Sequence, residues 1–406
     1  MQKILQEIIN MSKLSLVILS FLFSIFAHAT APTLEDLDIS AIDIQALNKI
    51  VTSKVPHGKF AGKTLNTAVR RPLYVIGTGT GASDALSDKL YSENVLVANF
   101  YHNGEFYVAR IPVSKIKSVV LLTAPFSKMA SHTMLRFVTD KDARVELVAK
   151  IESNSANTEV NIKPLETPIA IKDLVFSIDG TEPRGQEGGW KMKDAIAGAY
   201  TIALRMVSVQ ERFRWFVMEG TPIKQVDLNI SREMAQRLVR RGIETSQTEA
   251  WSRAYHLLCA NCTNLAIRLV KDNVPYDQRS ETERRSLKLF LQEKLDPFLK
   301  ALEPFTQFTR FNLGTLGWLG KDKVDLQNEP EFRSEIMEVV QELRSSIANN
   351  TSSTEAEKAE LYKNLGVDKD LPLIANPALF SPALKAYKAT VLAAKSKAMC
   401  LQFYAL

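Results

Sequence analysis

The sequence has few cysteines, few histidines and no long apolar run after its first 30 residues. It contains 3 cysteines and 5 histidines in 406 residues. Three cysteines are too few for a disulfide-rich scaffold, and because the number is odd, at least one thiol stays unpaired in the monomer. No apolar run reaches the roughly 20 residues that a membrane-spanning helix needs, so we expect no such helix.

The composition and charge are those of a soluble globular protein. Hydrophobic residues make up 46% and charged residues 24% of the chain, and the formal net charge is +6. At typical domain sizes of roughly 100–200 residues, this length predicts two or three structural units. The Lys and Arg residues are scattered rather than clustered, which argues against a nucleic-acid partner.

The first 29 residues have the pattern of a secretory signal peptide. Lys13 precedes the apolar run Leu14 to Phe26, and Ala27-His28-Ala29 follows as a small-x-small cleavage pattern. We therefore expect cleavage after Ala29 and export of residues 30–406.

Alternating apolar residues predict a sheet in the first half of the chain. The predicted strands are Leu73–Ile76, Val95–Phe100, Phe106–Ile111, Val119–Leu122, Thr133–Val138, Val145–Ile151 and Leu174–Ile178. Asn103-Gly104 lies between two of them, and such a pair favours a tight hairpin turn because both residues tolerate positive φ. These features indicate an α+β protein with a mainly antiparallel sheet, in a main domain that spans 71–275.

Helical patterns flank this sheet. Apolar spacing over 30–70 predicts a helical lead-in. We predict extended chain over Ala199–Val217, and then a helix that starts after Ser231 and ends at Gly242.

Residues 276–406 are rich in helix signals. Ser280 with Glu283, and Thr354 with Glu357, match the capping box of a helix start. One apolar helical face is marked by Phe332, Ile336, Val339, Leu343 and Ile347. We predict a helical C-terminal extension over 276–406. The alternative is a separate domain there that contacts a protein partner or a membrane surface.

The segment YHLLCANCTNL, from Tyr255 to Leu265, holds the candidate nucleophiles. Asn261 is a good N-cap residue, so the helix begins at Cys262. Free backbone N–H groups and the positive end of the helix dipole stabilise a thiolate in that place and lower the thiol pKa. Cys259 lies one turn earlier, and the pattern alone does not choose between the two thiols.

The same residues allow other interpretations. Cys259 and Cys262 could be small buried apolar residues, or they could form a local disulfide, which an oxidising compartment permits. His256 could join both cysteines in a metal site, but a structural zinc needs four ligands and no second Cys/His pair is present. A thioredoxin-like redox role lacks its βαβ context. We predict no metal and no cofactor.

A cysteine nucleophile needs an imidazole that takes its proton, and His132 is the best placed of the histidines. It follows Ser131 early on a predicted strand, in SHTMLRF, whereas the others lie in the signal segment, in turns or beside the cysteines. The alternative is a purely structural histidine. Gly77–Ala82 superficially resembles a dinucleotide-binding loop, but no βαβ unit follows, which favours a flexible loop.

Three segments, in this order and at this spacing, resemble the Lnb-type N-terminal periplasmic domain family of exported bacterial proteins. They are SHTMLRF (131–137), ERFRWFVMEG followed by VDLNISREMAQRLV (211–239) and YHLLCANCTNL (255–265). The resemblance covers roughly residues 72–271. The family is similar to circularly permuted papain-like enzymes, akin to NlpC-type peptidases and the lecithin:retinol acyltransferase group, in which the strand histidine precedes the helix cysteine.

The resemblance implies roles for individual residues. Cys262 would be the nucleophile and His132 its base, with Asn261, Tyr255 and Ser131 in support, whereas Cys259 matches no required position. The third residue, which would orient the histidine, stays open among Ser177, Asp179 and Glu146, which lie on or near neighbouring predicted strands.

The resemblance also implies an activity and a place. We expect a cysteine hydrolase or acyltransferase, exported to the periplasm of a Gram-negative bacterium, that forms a thioester on Cys262 while helix N–H groups stabilise the oxyanion. The substrate would be a peptide, glycan or lipid of the cell envelope. The alternative is a non-catalytic envelope binding protein with an oxidised Cys259–Cys262 pair, because a fold alone does not establish chemistry.

Overall fold

A computed structural model describes most of the predicted main domain and short parts of the C-terminal region. The described residues are 42–76, 86, 90, 92–125, 131–154, 156–186, 191–218, 221, 223–249, 251–256, 261–273, 319–326, 329, 341, 345, 348–349 and 354–364. The predicted signal peptide, Gly77–Ala82, Cys259, the predicted capping box at Ser280 and the predicted apolar face from Phe332 onward lie outside these residues.

One large, mostly antiparallel sheet dominates the described chain. Its strands are β1 Tyr74–Val75, β2 Asn94–His102, β3 Glu105–Pro112, β4 Ile116–Pro125, β5 Ser131–Thr139, β6 Val145–Ser153, β7 Val160–Ile171, β8 Leu174–Thr181, β9 Tyr200–Ser208, β10 Lys224–Leu228, β11 Ala254–Tyr255 and β12 Leu319–Asp322. Their order is β12-β10-β4-β5-β8-β9-β2-β3-β6-β7, with β1 paired to β2 and β11 to β9. This confirms the predicted α+β class and the mainly antiparallel sheet.

Among the described strands, one neighbouring pair is parallel, which makes the sheet mixed. β2 and β9 run parallel, with Tyr101 opposite Val207, and they join two groups of antiparallel strands. The hairpin between β2 and β3 turns at Asn103-Gly104, where φ is 48° and 81°. The predicted turn is therefore present, with both residues in the left-handed region.

The described helices are short relative to the sheet. They are α1 Ile44–Val51, α2 Met192–Ile196, α3 Val209–Met218, α4 Arg232–Glu249, α5 Cys262–Asn273 and α6 Glu355–Asn364. α4 packs on β4 and β9, and α5 packs on β5 and β8. Their buried residues, among them Leu238, Ile243 and Ile267, join Phe137 and Phe176 of the sheet in the main core. None of the described helices is both long and apolar enough to cross a membrane.

Two predictions of local structure were wrong. Ala199–Val217 is not extended throughout, because β9 ends at Ser208 and α3 follows; the Ser208 hydroxyl accepts the N–H of Glu211 at 3.0 Å and so caps that helix. α4 does not end at Gly242 but continues to Glu249. A Cβ at Gly242 would lie 3.3 Å from Cδ2 of Phe176, so this glycine lets the helix lie close to the sheet.

β7 was not predicted, and its composition explains why. It is the last strand of the sheet order, and most of its residues are exposed or half-buried. Pro164 and Pro168 interrupt it, which strands tolerate at an edge because no neighbour needs the missing N–H group. Only Val160, Ile162 and Ile171 are buried along it, so the strand shows no apolar alternation over its whole length.

The described parts of 276–406 agree with the helical prediction in one place and differ from it in another. α6 begins with the predicted capping box: the Thr354 N–H donates to Oε2 of Glu357 at 2.8 Å, and the Glu357 N–H donates to Oγ1 of Thr354 at 3.3 Å. Leu319–Asp322, however, is strand β12, paired antiparallel with β10. A Cβ at Gly320 would lie 3.1 Å from the Asp227 carbonyl oxygen, so the glycine permits the close approach of the two strands.

Candidate active site

The pairing of β5 with β8 brings His132 and Asp179 together. Met134 lies opposite Ser177 in this antiparallel pair. Continued by two residues, the register places His132 opposite Asp179, and side chains directly opposite each other in neighbouring strands project from the same face. His132, Ser177 and Asp179 therefore form one group at the start of β5.

Asn261 fixes the start of α5 and, with it, the position of Cys262. Its Oδ1 accepts the N–H groups of Thr263 at 2.8 Å and Asn264 at 3.0 Å. Oδ1 of Asn264 accepts the Asn261 N–H at 2.8 Å in return. This reciprocal pair satisfies donors that a helix start otherwise leaves without partners, so Cys262 is held as the first residue of the helix.

The Cys262 thiol is free and its side chain is 3% exposed. Its Sγ lies 3.8 Å from the hydroxyl of Tyr255, which donates to it, and 3.9 Å from the carbonyl oxygen of Ser131. A hydrogen bond of 2.9 Å between the Thr133 and Thr263 hydroxyls ties the start of α5 to β5. The sulfur is thus positioned by one strand, one helix start and one phenol.

His132 is held from its Nε2 side. Nε2 lies 3.0 Å from Oγ of Ser177 and 3.3 Å from Oδ1 of Asp179. The Ser177 hydroxyl donates to the same Oδ1 at 3.1 Å, so it accepts the imidazole N–H. The ring also lies against Phe216, with centroids 6.0 Å apart. Since Nε2 is engaged in this way, Nδ1 is the nitrogen left to interact with Cys262.

Two buried arginines hold the Asp179 carboxylate ionised. Nη2 of Arg212 donates to Oδ2 at 2.5 Å, and Nε of Arg205 lies 3.5 Å from the same oxygen. Burial alone would raise the pKa of Asp179, but Arg212, His132 and Arg205 outweigh it and hold this pKa well below its usual range. The carboxylate therefore stays charged although it is buried.

Two buried arginines, Arg205 and Arg212, lie beside the single carboxylate of Asp179. Burial and the neighbouring Arg212 lower the pKa of Arg205 to about 10. The Arg205 guanidinium lies 4.7 Å from the ring centre of Tyr101, and its Nη1 donates to the Val69 carbonyl at 2.5 Å. The Arg205 side chain is thereby fixed between a π face, a backbone carbonyl and Asp179.

Cys262 and His132 shift each other's pKa towards an ion pair. Burial lowers the pKa of His132, but the charge of Cys262 and the contact with Asp179 outweigh it and raise this pKa to about 9. Burial raises the pKa of the Cys262 thiol, but the charge and hydrogen bond of His132 outweigh it and the net shift is downward. The pair therefore favours thiolate with imidazolium.

The structure brings together the five site residues that the sequence singled out. Cys262, His132, Tyr255, Asn261 and Ser131 all lie within one group, and the contact from Ser131 comes from its backbone carbonyl.

The structure distinguishes the three candidates for the residue that orients His132 by their contacts with it. Ser177 and Asp179 both contact His132. Glu146 lies on β6, five strands from β5 in the sheet order, where its Oε2 is 2.9 Å from Nη1 of Arg110. Asp179 is the candidate that supplies a charge to the histidine, and Ser177 connects the two.

The sequence did not reveal Arg205 and Arg212. Arg205 stands in the mainly apolar segment IALRMVS, whereas Arg212 stands in ERFRWF, which also contains the charged residues Glu211 and Arg214. An arginine is rarely fully buried without a partner, so a lone arginine in a buried strand signals a nearby carboxylate. The sequence pattern does not identify which carboxylate is the partner, because Asp179 is 33 residues from Arg212 in the chain.

The described residues contain no group of three His, Cys, Asp or Glu side chains that could hold a metal ion. The chain matches no protein-family profile, no curated protein and no solved structure in comparisons with all three. Cys262, His132 and Asp179 form a row of a thiol, an imidazole and a carboxylate, in which His132 contacts both of the other residues.

Proposed function

We propose that the chain is a cysteine hydrolase or acyltransferase that acts on an amide or an ester. The observation that carries this proposal is the row of Cys262, His132 and Asp179. Its thiol lies at a helix start, its imidazole lowers the pKa of that thiol, and its carboxylate is held ionised behind the imidazole. A nucleophile, a base and an oriented third group in contact are the signature of covalent catalysis by cysteine.

The first step would be attack on the substrate carbonyl. The Cys262 sulfur forms a bond to the carbonyl carbon, and His132 gives its proton to the leaving amine or alcohol as the C–N or C–O bond breaks. The product is a thioester on Cys262. Asp179 and Ser177 keep the ring oriented while its charge changes.

Two N–H groups at the start of α5 are not available to stabilise the oxyanion of the reaction. The N–H groups of Thr263 and Asn264 already donate to Asn261. The N–H of Cys262 and the hydroxyl of Tyr255 lie together beside the sulfur. The N–H contacts that hydroxyl and the hydroxyl donates to the sulfur, so a substrate oxyanion would replace both contacts. We assign the oxyanion site to this pair.

The second step would release the acyl group. Water, or an amine or alcohol acceptor, attacks the thioester and gives its proton to His132, and the thiol leaves. Water makes the reaction a hydrolysis, and another acceptor makes it an acyl transfer.

We also propose a specific fold for the main domain. The order of the elements, with the histidine strand before the cysteine helix, supports a permuted papain-like domain within 71–275.

On the same resemblance we propose export to the periplasm and a peptide, glycan or lipid substrate of the cell envelope. The capping box of α6 supports a helical extension over part of 276–406, which would contact a protein partner or a membrane surface.

The competing function is binding without catalysis, with an oxidised Cys259–Cys262 pair. The free thiol of Cys262 and its lowered pKa favour the catalytic proposal. A carboxylate held ionised behind His132 has a use in catalysis that a disulfide-bonded binding site does not require.

The test is detection of the acyl-enzyme. The full chain is incubated with 4-nitrophenyl acetate, quenched in acid and analysed by intact mass and peptide mapping. We expect one acetyl group on Cys262, loss of turnover in Cys262→Ser, and retention of turnover in the matched control Cys259→Ser. Equal turnover in Cys262→Ser, or acetylation elsewhere only, would refute the proposal.

A further inference from the structure

A pocket lies at the opposite end of β5 from His132. Its volume is about 380 Å³, within the range of roughly 300–1,000 Å³ that is usual for small-ligand sites. Thr139, which lines it, is seven residues from His132 along the strand, which corresponds to roughly 24 Å at about 3.4 Å per residue. The pocket is therefore separate from the thiol site.

Lysines from four different segments surround this pocket. Lys117 lies on β4, Lys141 in the turn after β5, Lys172 between β7 and β8, and Lys323 directly after β12. The lining has five basic residues, the fifth being Arg136, and one acidic residue, Glu329. Charges of one sign that converge from distant parts of the chain repel one another, so an anion in the pocket would relieve that repulsion.

The acidic residue in the wall does not neutralise the lysines. Both carboxylate oxygens of Glu329 accept hydrogen bonds from Nη1 of Arg136 at 3.0 Å, and one also accepts from Gln225 at 2.5 Å. Arg136 donates in addition to Asp173 at 2.6 Å and 2.9 Å. The two carboxylates and the guanidinium thus bond to one another and together carry one net negative charge, which is less than the charge of the four lysines in the lining.

Carboxylates outside the pocket offset part of this charge. Asp227 approaches Lys323 only to 3.8 Å. Asp140 is bound by both terminal nitrogens of Arg232 at 2.9 Å and 2.7 Å. Within the described part of the chain, neither Lys117 nor Lys141 forms an ion pair.

We propose that this pocket binds a ligand through a phosphate group that carries at least two negative charges. Lysine binds phosphate as a compact point charge, whereas arginine binds phosphate or carboxylate through its planar bidentate fork. Here four lysines line the pocket, and the arginine is engaged with Asp173 and Glu329. The phosphate could belong to a soluble phosphorylated molecule or to a lipid headgroup, which share this chemistry. The proposal does not depend on catalysis at Cys262.

The test uses inorganic pyrophosphate and the full chain. Isothermal titration at low ionic strength should show one site, with an affinity that falls as salt is added because the contacts are electrostatic. The double variant Lys117→Gln/Lys323→Gln should weaken binding at least tenfold. Lys163→Gln, an exposed lysine on β7, serves as the matched control and should bind like the parent chain. Cys262→Ala should also bind like the parent.

A second arm separates the two sources of the phosphate. Vesicles of phosphatidylcholine with phosphatidic acid are compared with phosphatidylcholine alone in a flotation assay. Binding to the anionic vesicles that pyrophosphate competes away, and that the double variant loses, identifies a lipid headgroup. Pyrophosphate binding without vesicle binding identifies a soluble ligand. Absence of pyrophosphate binding, or equal binding by the double variant, overturns the proposal.

Discussion

At the residue scale, the charge on Asp179 decides the protonation of the Cys262–His132 pair. The carboxylate is 3.3 Å from Nε2 of His132 and is held ionised by Arg212. It therefore favours the imidazolium, and the imidazolium in turn favours the thiolate. Without Asp179, the buried imidazole would be neutral over a wider pH range.

The substitution Asp179→Asn should weaken this coupling. The pKa of His132 should fall because its opposite charge is gone, and the pKa of Cys262 should rise for the same reason. At pH 7 we expect alkylation of Cys262 to slow roughly tenfold, the factor that corresponds to one pKa unit. Stopped-time labelling with peptide mapping measures this rate.

Controls separate this effect from unfolding. Glu146→Gln removes a carboxylate five strands from β5 and should leave the rate unchanged. Because Asp179→Asn leaves two buried arginines without their carboxylate, it should also destabilise the fold by about 3–5 kcal/mol. If that variant does not fold, Ser177→Ala removes only the connecting hydroxyl and should slow labelling to a smaller extent. An unchanged rate in folded Asp179→Asn contradicts the role assigned to the carboxylate.

At the element scale, the contact between α4 and the sheet depends on Gly242. A side chain there would meet Cδ2 of Phe176 and Cε of Met206, and both residues are buried in the main core. α4 in turn supports β1, because the hydroxyl of Ser246 accepts the N–H of Leu73 at 2.8 Å. The glycine thus sets the distance between the helix and the sheet.

Gly242→Leu should destabilise the fold by about 1–3 kcal/mol, the usual cost of overpacking a core. Urea unfolding followed by circular dichroism measures the change in the free energy of unfolding. Arg241→Leu, at an exposed neighbouring position, should change it by less than about 0.5 kcal/mol. Equal stabilities of the two variants would mean that α4 does not lie as close to the sheet as described.

At the scale of the whole molecule, local patterns predicted the elements, and contacts distant in sequence determined the site. Alternation within β5 and the Asn103-Gly104 turn needed only neighbouring residues, so the sheet and its hairpin could be predicted. The parallel pairing of β2 with β9 could not, because it depends on how two groups of strands join.

The candidate site shows the same limit. Helix-cap chemistry indicated a reactive thiol at Cys259 or Cys262, and the family resemblance implied Cys262. Strand pattern indicated His132, which is 130 positions from Cys262. The choice of Asp179 over Glu146 required the strand order, since Glu146 stands on one predicted strand and Asp179 directly follows another. Arg212 was missed because its segment was predicted as extended chain, whereas it lies on α3.

The most direct test of the account is the pH dependence of Cys262 alkylation, in the parent chain and in His132→Ala. The full chain, purified without reductant, is labelled with iodoacetamide from pH 5 to pH 10, and peptide mapping follows Cys262 separately from Cys259 and Cys400. We predict an apparent pKa below the ordinary thiol value of about 8.5 in the parent and a higher pKa in His132→Ala, because the largest effects that oppose burial, the charge and hydrogen bond of His132, are then gone. Labelling confined to alkaline pH in both chains, or a linked Cys259–Cys262 peptide, would contradict the ion pair on which the proposed chemistry rests.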